Sequence, residues 1–312
     1  MTPYYQDDAV PWPPAGVKWY YSDDAVAIAC GDCREILPTF QSSSVDLVLT
    51  DPPYGHNNNN NGDLAHRREA ALGLVDRVPD EWARPIANDG PEANELVRWF
   101  FPEANRLLRP GACCCCCGGG GGPDPQFARW SIWMDEAIGF KMSVVWDKGG
   151  LGMGWHYRRN YELMLVASKP GAAVTWNGGN HTSNVLRIPG IKPSAEDHPT
   201  PKPEALFQHF IQLHTNPGDL ILDPFLGAGT TLRAAKDLGR RAIGIEIEER
   251  YAEIAAVRCS QEVIDFGNAK QGAGLQSQIL AIMECRQSAA EDISVLNLFD
   301  GVCPSRQPKA VR

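Results

Sequence analysis

The sequence predicts an α/β fold: a doubly wound, mostly parallel sheet with helices on both faces. Three observations carry that reading. Near-continuous apolar runs, such as "VDLVL" at 45–49, "LILD" at 220–223 and "AIGIE" at 242–246, alternate with longer segments of helical periodicity. Each of these runs ends in or close to an acid: Asp51, Asp223 and Glu246. A glycine turn, Gly227-Ala-Gly229, stands between one run and the helix after it. Ligands of open α/β sheets gather at the carboxyl ends of strands, where these acids and the turn fall.

In chain order, "AVAIACGDCREIL" from Ala25 reads as a strand, a loop and a helix start, and "SVDLVLTDPPY" as a buried strand. The asparagine run in "GHNNNNNGDLAHRREAALG" is a loop or flap. "PEANELVRWFFPEANRLLRPG" has apolar residues at helical spacing and is expected to stop at Pro110-Gly111. Cys113–Cys117 follow as a strand, "FARWSIWMDEAIGF" as a helix, and "KMSVVWDKGG" and "NYELMLVASK" as two strands. Residues 169–197 are polar and rich in Gly and Pro. After them come a helix in "PKPEALFQHFIQLHTNPGD", strand-turn-helix in "LILDPFLGAGTTLRAAKDLG" and strand-helix in "RAIGIEIEERYAEIAAVR". Beyond Gln261 the periodicity loosens, and the last ten residues read as disordered.

Composition narrows the function. At 312 residues and 43% hydrophobic, the chain can bury a large single core. It has no run of eighteen apolar residues, and its N-terminus lacks a basic-then-apolar leader pattern, so a soluble cytoplasmic protein with no membrane contact is expected. A net charge of −9 argues against a generic polyanion binder while leaving room for a local basic cleft. Five of the ten cysteines are consecutive; neighbours on a strand point to opposite faces, so they cannot converge on one tetrahedral metal. They read instead as small apolar strand filler. Cys30 and Cys33 have CxxC spacing but no second close pair, so no metal site is expected.

The Gly227–Gly229 turn departs from two phosphate-binding patterns. Leu232 stands at the third glycine position of the dinucleotide fingerprint, and no Gly-Lys-Ser/Thr follows. A nucleoside without pyrophosphate suits it, and S-adenosylmethionine fits: Glu246 can meet the ribose and the glycine loop the amino-acid end. A tight strand-to-helix turn without a ligand is the plain alternative. Asp51-Pro52-Pro53 alone is likewise open between a strand-ending turn and a site.

Together, "DPPY" at 51–54, "HPTPKPEAL" at 198–206 and "DPFLGAGTT" at 223–231 resemble the amino-methylating DNA methyltransferases. The catalytic motif precedes the cofactor motif, as in the permuted β group of adenine-N6 and cytosine-N4 enzymes. The resemblance runs from about Ala25 to Arg258. It implies a Rossmann-like S-adenosylmethionine-dependent methyltransferase domain over 25–260, with a flap at 56–95 and a small target-recognition segment at 169–197. Residues 1–24 form an N-terminal extension and 261–312 a tail.

The resemblance also implies roles. Asp223, Phe225, Gly227, Gly229 and Thr230 would shape the methionine side of the cofactor pocket, and Glu246 would hold the ribose. Asp32 would touch the adenine amine, with the Cys33 backbone beside it. His198, Thr200 and Lys202 would lie near the methionine end, Lys202 as a carboxylate partner. Tyr161-Glu162 matches a strand near the base pocket, although Glu162 also reads as an ordinary strand-end acid.

An exocyclic amine is a poor nucleophile because its lone pair is delocalised into the ring. The Asp51 carboxylate and Pro52 carbonyl can each accept one of its hydrogens and so aim the lone pair. Pro52 and Pro53 fix φ and hold that carbonyl's direction. Tyr54 offers a stacking face to an extruded base, worth about 1–3 kcal/mol. The expected substrate is adenine N6 in double-stranded DNA, with cytosine N4 the nearest alternative and RNA or a protein amide more distant. A homodimer and a cognate restriction nuclease are both left open.

Overall fold

The computed structural model describes residues 12–55, 60–61, 83–84, 87–118, 126–150, 157–191 and 202–261, all within one compact unit. His56, His198, Thr200, most of the stretch read as a flap and the tail lie outside the described residues.

Eleven strands are described: β1 (Trp19–Ser22), β2 (Val26–Cys30), β3 (Val45–Thr50), β4 (Asn60–Asn61), β5 (Ala83–Arg84), β6 (Leu108–Cys117), β7 (Phe140–Asp147), β8 (Tyr161–Ser168), β9 (Val185–Arg187), β10 (Leu220–Asp223) and β11 (Arg241–Glu246). Nine of them form one sheet in the order β1-β2-β11-β10-β3-β6-β8-β7-β9, and β4 pairs with β5 apart from it. The run from β2 to β6 is parallel throughout. β8 lies antiparallel to both β6 and β7, and β9 returns parallel to β7. The predicted doubly wound, mostly parallel sheet is therefore present.

The helices are α1 (Cys33–Ile36), α2 (Ala93–Leu107), α3 (Gln126–Ala137), α4 (Glu204–His214), α5 (Thr230–Asp237) and α6 (Glu249–Ser260). They divide between the two faces. On one side Phe207 and Phe210 of α4, Leu232 of α5 and Ala255 of α6 pack on Leu47, Leu49 and Cys115. On the other, Phe100 and Phe101 of α2 and Trp130 and Met134 of α3 pack on Val48, Cys114 and Cys116. Each large apolar side chain so buried contributes about 1.5–3 kcal/mol.

The cysteine run is a central strand. Cys113–Cys116 pair with Leu47–Thr50 on one side, and the whole run pairs with β8 on the other. Odd-numbered thiols face one layer and even-numbered thiols the other, as the two-residue period of a strand requires.

One local expectation is corrected. Helix α2 ends at Leu107, and Pro110 and Gly111 lie inside β6. The stop comes from elsewhere: the Lys169 ammonium takes the Asn105 and Leu108 carbonyls at 2.6 and 2.8 Å, satisfying the helix end from a distant segment. Trp19–Ser22, inside the stretch read as an N-terminal extension, adds an antiparallel edge strand to β2. The segment read as target recognition supplies β9.

Candidate active site

The carboxyl ends of β2, β11, β10 and β3 open into one cleft, which encloses about 1090 Å³ of space, part of it open to solvent. Asp51 and Lys202 line it together with Asp223, Gly227, Thr230 and Glu246. The catalytic motif and the glycine turn are thus neighbours, because β3 pairs directly with β10.

Hydrogen bonds fix that junction. Thr50 Oγ1 at the end of β3 donates to Asp223 Oδ1 at 2.6 Å, and Thr231 Oγ1 in α5 donates to Oδ2 at 2.5 Å. Asp223 is buried, and burial pushes its carboxyl up to about 6 although three donors oppose the shift. Phe225 sets its ring edge-on to Phe100 at 5.3 Å. Gly229 caps α5 with φ +82°, and a Cβ there would stand 2.8 Å from the Ala255 Cβ. Glycine therefore serves both the left-handed turn and the close approach of α6. Thr230 Oγ1 accepts from Arg258 at 2.9 Å.

Glu246, at the end of β11, accepts from the Gly227 and Glu248 amides at 2.7 and 2.9 Å. Burial raises its carboxyl to about 7. Asp32 caps α1 through the Arg34 amide at 2.8 Å and pairs with the Arg34 guanidinium at 2.5 Å, which lowers its pKa. Cys33, buried behind it, also lines the cleft.

The other half of the cleft is built around Asp51. The Tyr54 hydroxyl donates to Oδ1, and the Lys202 ammonium donates to Oδ2 at 2.5 Å. Lys202 also stands 3.5 Å from Glu162 Oε2 and 5.3 Å from the centre of the Tyr54 ring. Lys148 holds the other Glu162 oxygen at 2.9 Å. Burial works against the charge on Lys202, but Asp51 and Glu162 outweigh it and hold the ammonium above the ordinary lysine value. Burial would likewise raise Glu162, and the two lysines bring it below its ordinary value.

The backbone of the DPPY loop is clamped from two sides. Asp89 Oδ1, buried, accepts from the Tyr54 and Gly55 amides at 2.9 and 2.8 Å. Gln126, the first residue of α3, donates to the Tyr54 carbonyl at 2.5 Å. Trp130, one turn on, places its ring 5.9 Å from that of Tyr54. Pro52 is buried and Pro53 half-buried.

The site residues named from sequence that fall in the described region line this cleft or, like Gly229, abut it, apart from Tyr161 and Glu162, of which Glu162 meets it through Lys202. Asp89, Gln126 and Lys148 were not anticipated. "ANDG" signals only a turn, and nothing in sequence ties it to a loop thirty-five residues away.

Solved structures share this architecture. The chain superposes on the M1.HpyAVI–SAM complex with TM-score 0.55 and 26% identity, covering 76% of this chain and all of that one. The PvuII DNA methyltransferase (cytosine-N4-specific) aligns with TM-score 0.57 at 21% identity, over 80% and 92% of the two chains, and shows the fold alone. The class is therefore that of the Rossmann-like S-adenosylmethionine-dependent methyltransferases. A family profile for N6/N4 DNA methylases matches residues 45–257. The chain belongs to that family. The DNA adenine methyltransferase YhdJ of Escherichia coli (strain K12) is 27% identical over 277 residues, spanning 76% of this chain and 84% of the relative.

Proposed function

We propose that this DNA methylase transfers a methyl group from S-adenosylmethionine to the N6 amine of an adenine extruded from double-stranded DNA. The observation that carries the reading is the shared cleft: the Asp51 carboxylate at the tip of β3 opens into the same space as Glu246 and the glycine turn.

The charges of the cleft fit that cofactor. Among the described residues, Asp32, Asp51, Asp223 and Glu246 line it against one lysine, Lys202, which is already ion-paired. Such a wall repels phosphate and favours a cationic nucleoside. Glu246 would take the ribose hydroxyls, with Asp32 and the Cys33 backbone at the adenine. Asp223, Phe225 and the Gly227–Thr230 turn would enclose the methionine end. When bound, the cofactor supplies an electrophilic methyl on a sulfonium.

The chain's own residues prepare the amine. Asp51 and the Pro52 carbonyl accept its two hydrogens, and the prolines keep that carbonyl from reorienting. Tyr54 stacks on the base. Asp51 is also the carboxylate placed to receive the proton the amine must lose.

Asp51 rather than Ser in the motif, together with the adenine activity named for YhdJ, supports adenine over cytosine. The test is mass spectrometry of nucleosides from duplex DNA incubated with the protein and labelled cofactor. Label in N6-methyladenine is expected; label confined to N4-methylcytosine overturns the base assignment. Asp51→Ala is expected to abolish transfer while cofactor binding survives, and retained turnover removes Asp51 from the mechanism.

A further inference from the structure

Lys202 reaches the active site from an unusual anchor. It precedes Pro203, which confines its backbone to extended conformations, and Pro203 caps α4, whose Leu206, Phe207 and Phe210 are locked in the core. The ammonium is thereby delivered into a buried position, with a side-chain exposure of 6%. Both of its anionic neighbours are carboxylates of the chain itself: Asp51 Oδ2 at 2.5 Å and Glu162 Oε2 at 3.5 Å. Glu162 is in turn fixed by Lys148 at 2.9 Å. The result is a row of alternating charges, Lys148, Glu162, Lys202 and Asp51, running from β7 and β8 to the tip of β3.

We propose that Lys202 is a positioning residue for Asp51, not a ligand of the cofactor carboxylate, and that Glu162 is its tether. The proposal rests on the methylase reading above. With Oδ2 gripped by Lys202, rotation of the Asp51 carboxylate is stopped and Oδ1 alone is presented to the target amine. In the base-free protein that oxygen is held by the Tyr54 hydroxyl. An incoming amine therefore replaces a hydrogen-bond donor of the chain at Oδ1, while the bond at Oδ2 persists. Glu162 Oε2 is buried and, among the described residues, has no hydrogen-bond donor. Glu162 contributes at that oxygen through the charge of Lys202, holding the ammonium in line.

The two roles for Lys202 separate in a single-turnover experiment. With saturating cofactor and duplex DNA, Lys202→Met is expected to lower the transfer rate on the order of 100-fold through misplacement of Asp51, with cofactor affinity by calorimetry held within about twofold. Glu162→Gln is expected to lower the rate roughly tenfold, again with cofactor affinity unchanged. Combining the two should be no worse than Lys202→Met alone, because without the ammonium the tether has nothing to hold.

Cofactor affinity that falls tenfold or more in Lys202→Met, with the saturated rate kept, overturns the proposal. So does an additive double variant. If Lys202→Met does not fold, Glu162→Gln decides: an unchanged rate overturns the tether and the proposal with it. A wild-type protein that methylates no DNA overturns the functional reading itself, whereas an active wild type with the contrary variant results sinks this inference alone.

Discussion

The two halves of the cleft hold their acids by different means. At the tips of β10 and β11, Asp223 and Glu246 are buried among neutral donors: two threonine hydroxyls and backbone amides. At the tips of β3 and β8, Asp51 and Glu162 are gripped by lysines. The pKa values diverge accordingly. Burial lifts Asp223 to about 6 and Glu246 to about 7, while the lysines bring Glu162 below its ordinary value against the same burial. Neutral donors leave a carboxylate with an unmet preference for positive charge or further hydrogen bonds, which a cationic nucleoside can satisfy. Charged partners meet that preference in advance and spend it on orientation. On the proposed reading, one half binds and the other aims.

The largest effect that sharpens this contrast is expected at Asp89. It carries the Tyr54 and Gly55 amides. Asp89→Ala leaves both amides without that acceptor and frees the DPPY loop, so the single-turnover rate should fall on the order of 100-fold. Cofactor affinity should hold, because the binding half is untouched. Asp89→Asn keeps one acceptor oxygen and should recover part of the rate. Equal losses of rate and cofactor affinity in Asp89→Ala would show that the two halves are not separable.

Gly229→Ala probes the binding half by the converse route. The added methyl meets Ala255 at 2.8 Å and must sit at φ +82°, so α5 and α6 have to part. A stability loss of about 1–3 kcal/mol in chemical denaturation is expected, with weaker cofactor binding. In a variant still saturated with cofactor, the rate per turnover should stay near that of the wild type. A selective loss of rate with affinity kept would break the division of labour.

The binding half was the more legible in sequence. Asp223 and Glu246 each terminate an apolar run, and Gly227–Gly229 follows at once, so strand end and ligand site are read from the same few residues. Asp51 was legible for the same reason. The aiming half is assembled from afar: Lys148, Glu162 and Lys202 come from just past β7, from β8 and from the approach to α4, and only the order of strands brings them to β3. Lys202 was named from its motif, but its ion pair with Asp51 was not legible there, because a motif carries a position and not a partner. Asp89 and Gln126 act through backbone amides and a carbonyl, a contact for which side-chain pattern holds no signal. The short β1, in the aromatic and alternating "WYYS", was masked by the prolines before it.

The smallest effect expected, and the one most specific to the comparison, is a pair of opposed pH dependences at Glu246. Its pKa in the folded protein is raised to about 7, so the folded state binds its proton more tightly than the unfolded chain. The stability this confers is fully present below the ordinary carboxylate range and is lost as pH rises through about 7. Relative to Glu246→Gln, the cofactor-free protein should therefore gain stability as pH falls from 8 toward 5. Affinity for the cofactor should run the other way. The ionised carboxylate is the better acceptor for ribose hydroxyls, by about 1 kcal/mol per hydrogen bond, so protonation of this one group should weaken binding by up to about tenfold between pH 8 and 6. Glu246→Gln should flatten that slope, leaving a residual fall near pH 6 from Asp223. Calorimetry at pH 8, 7 and 6 on both proteins measures it. Parallel slopes in the two proteins would mean that the neutral-donor half does not bind through Glu246, and the contrast between a binding and an aiming half would then rest on Asp223 alone.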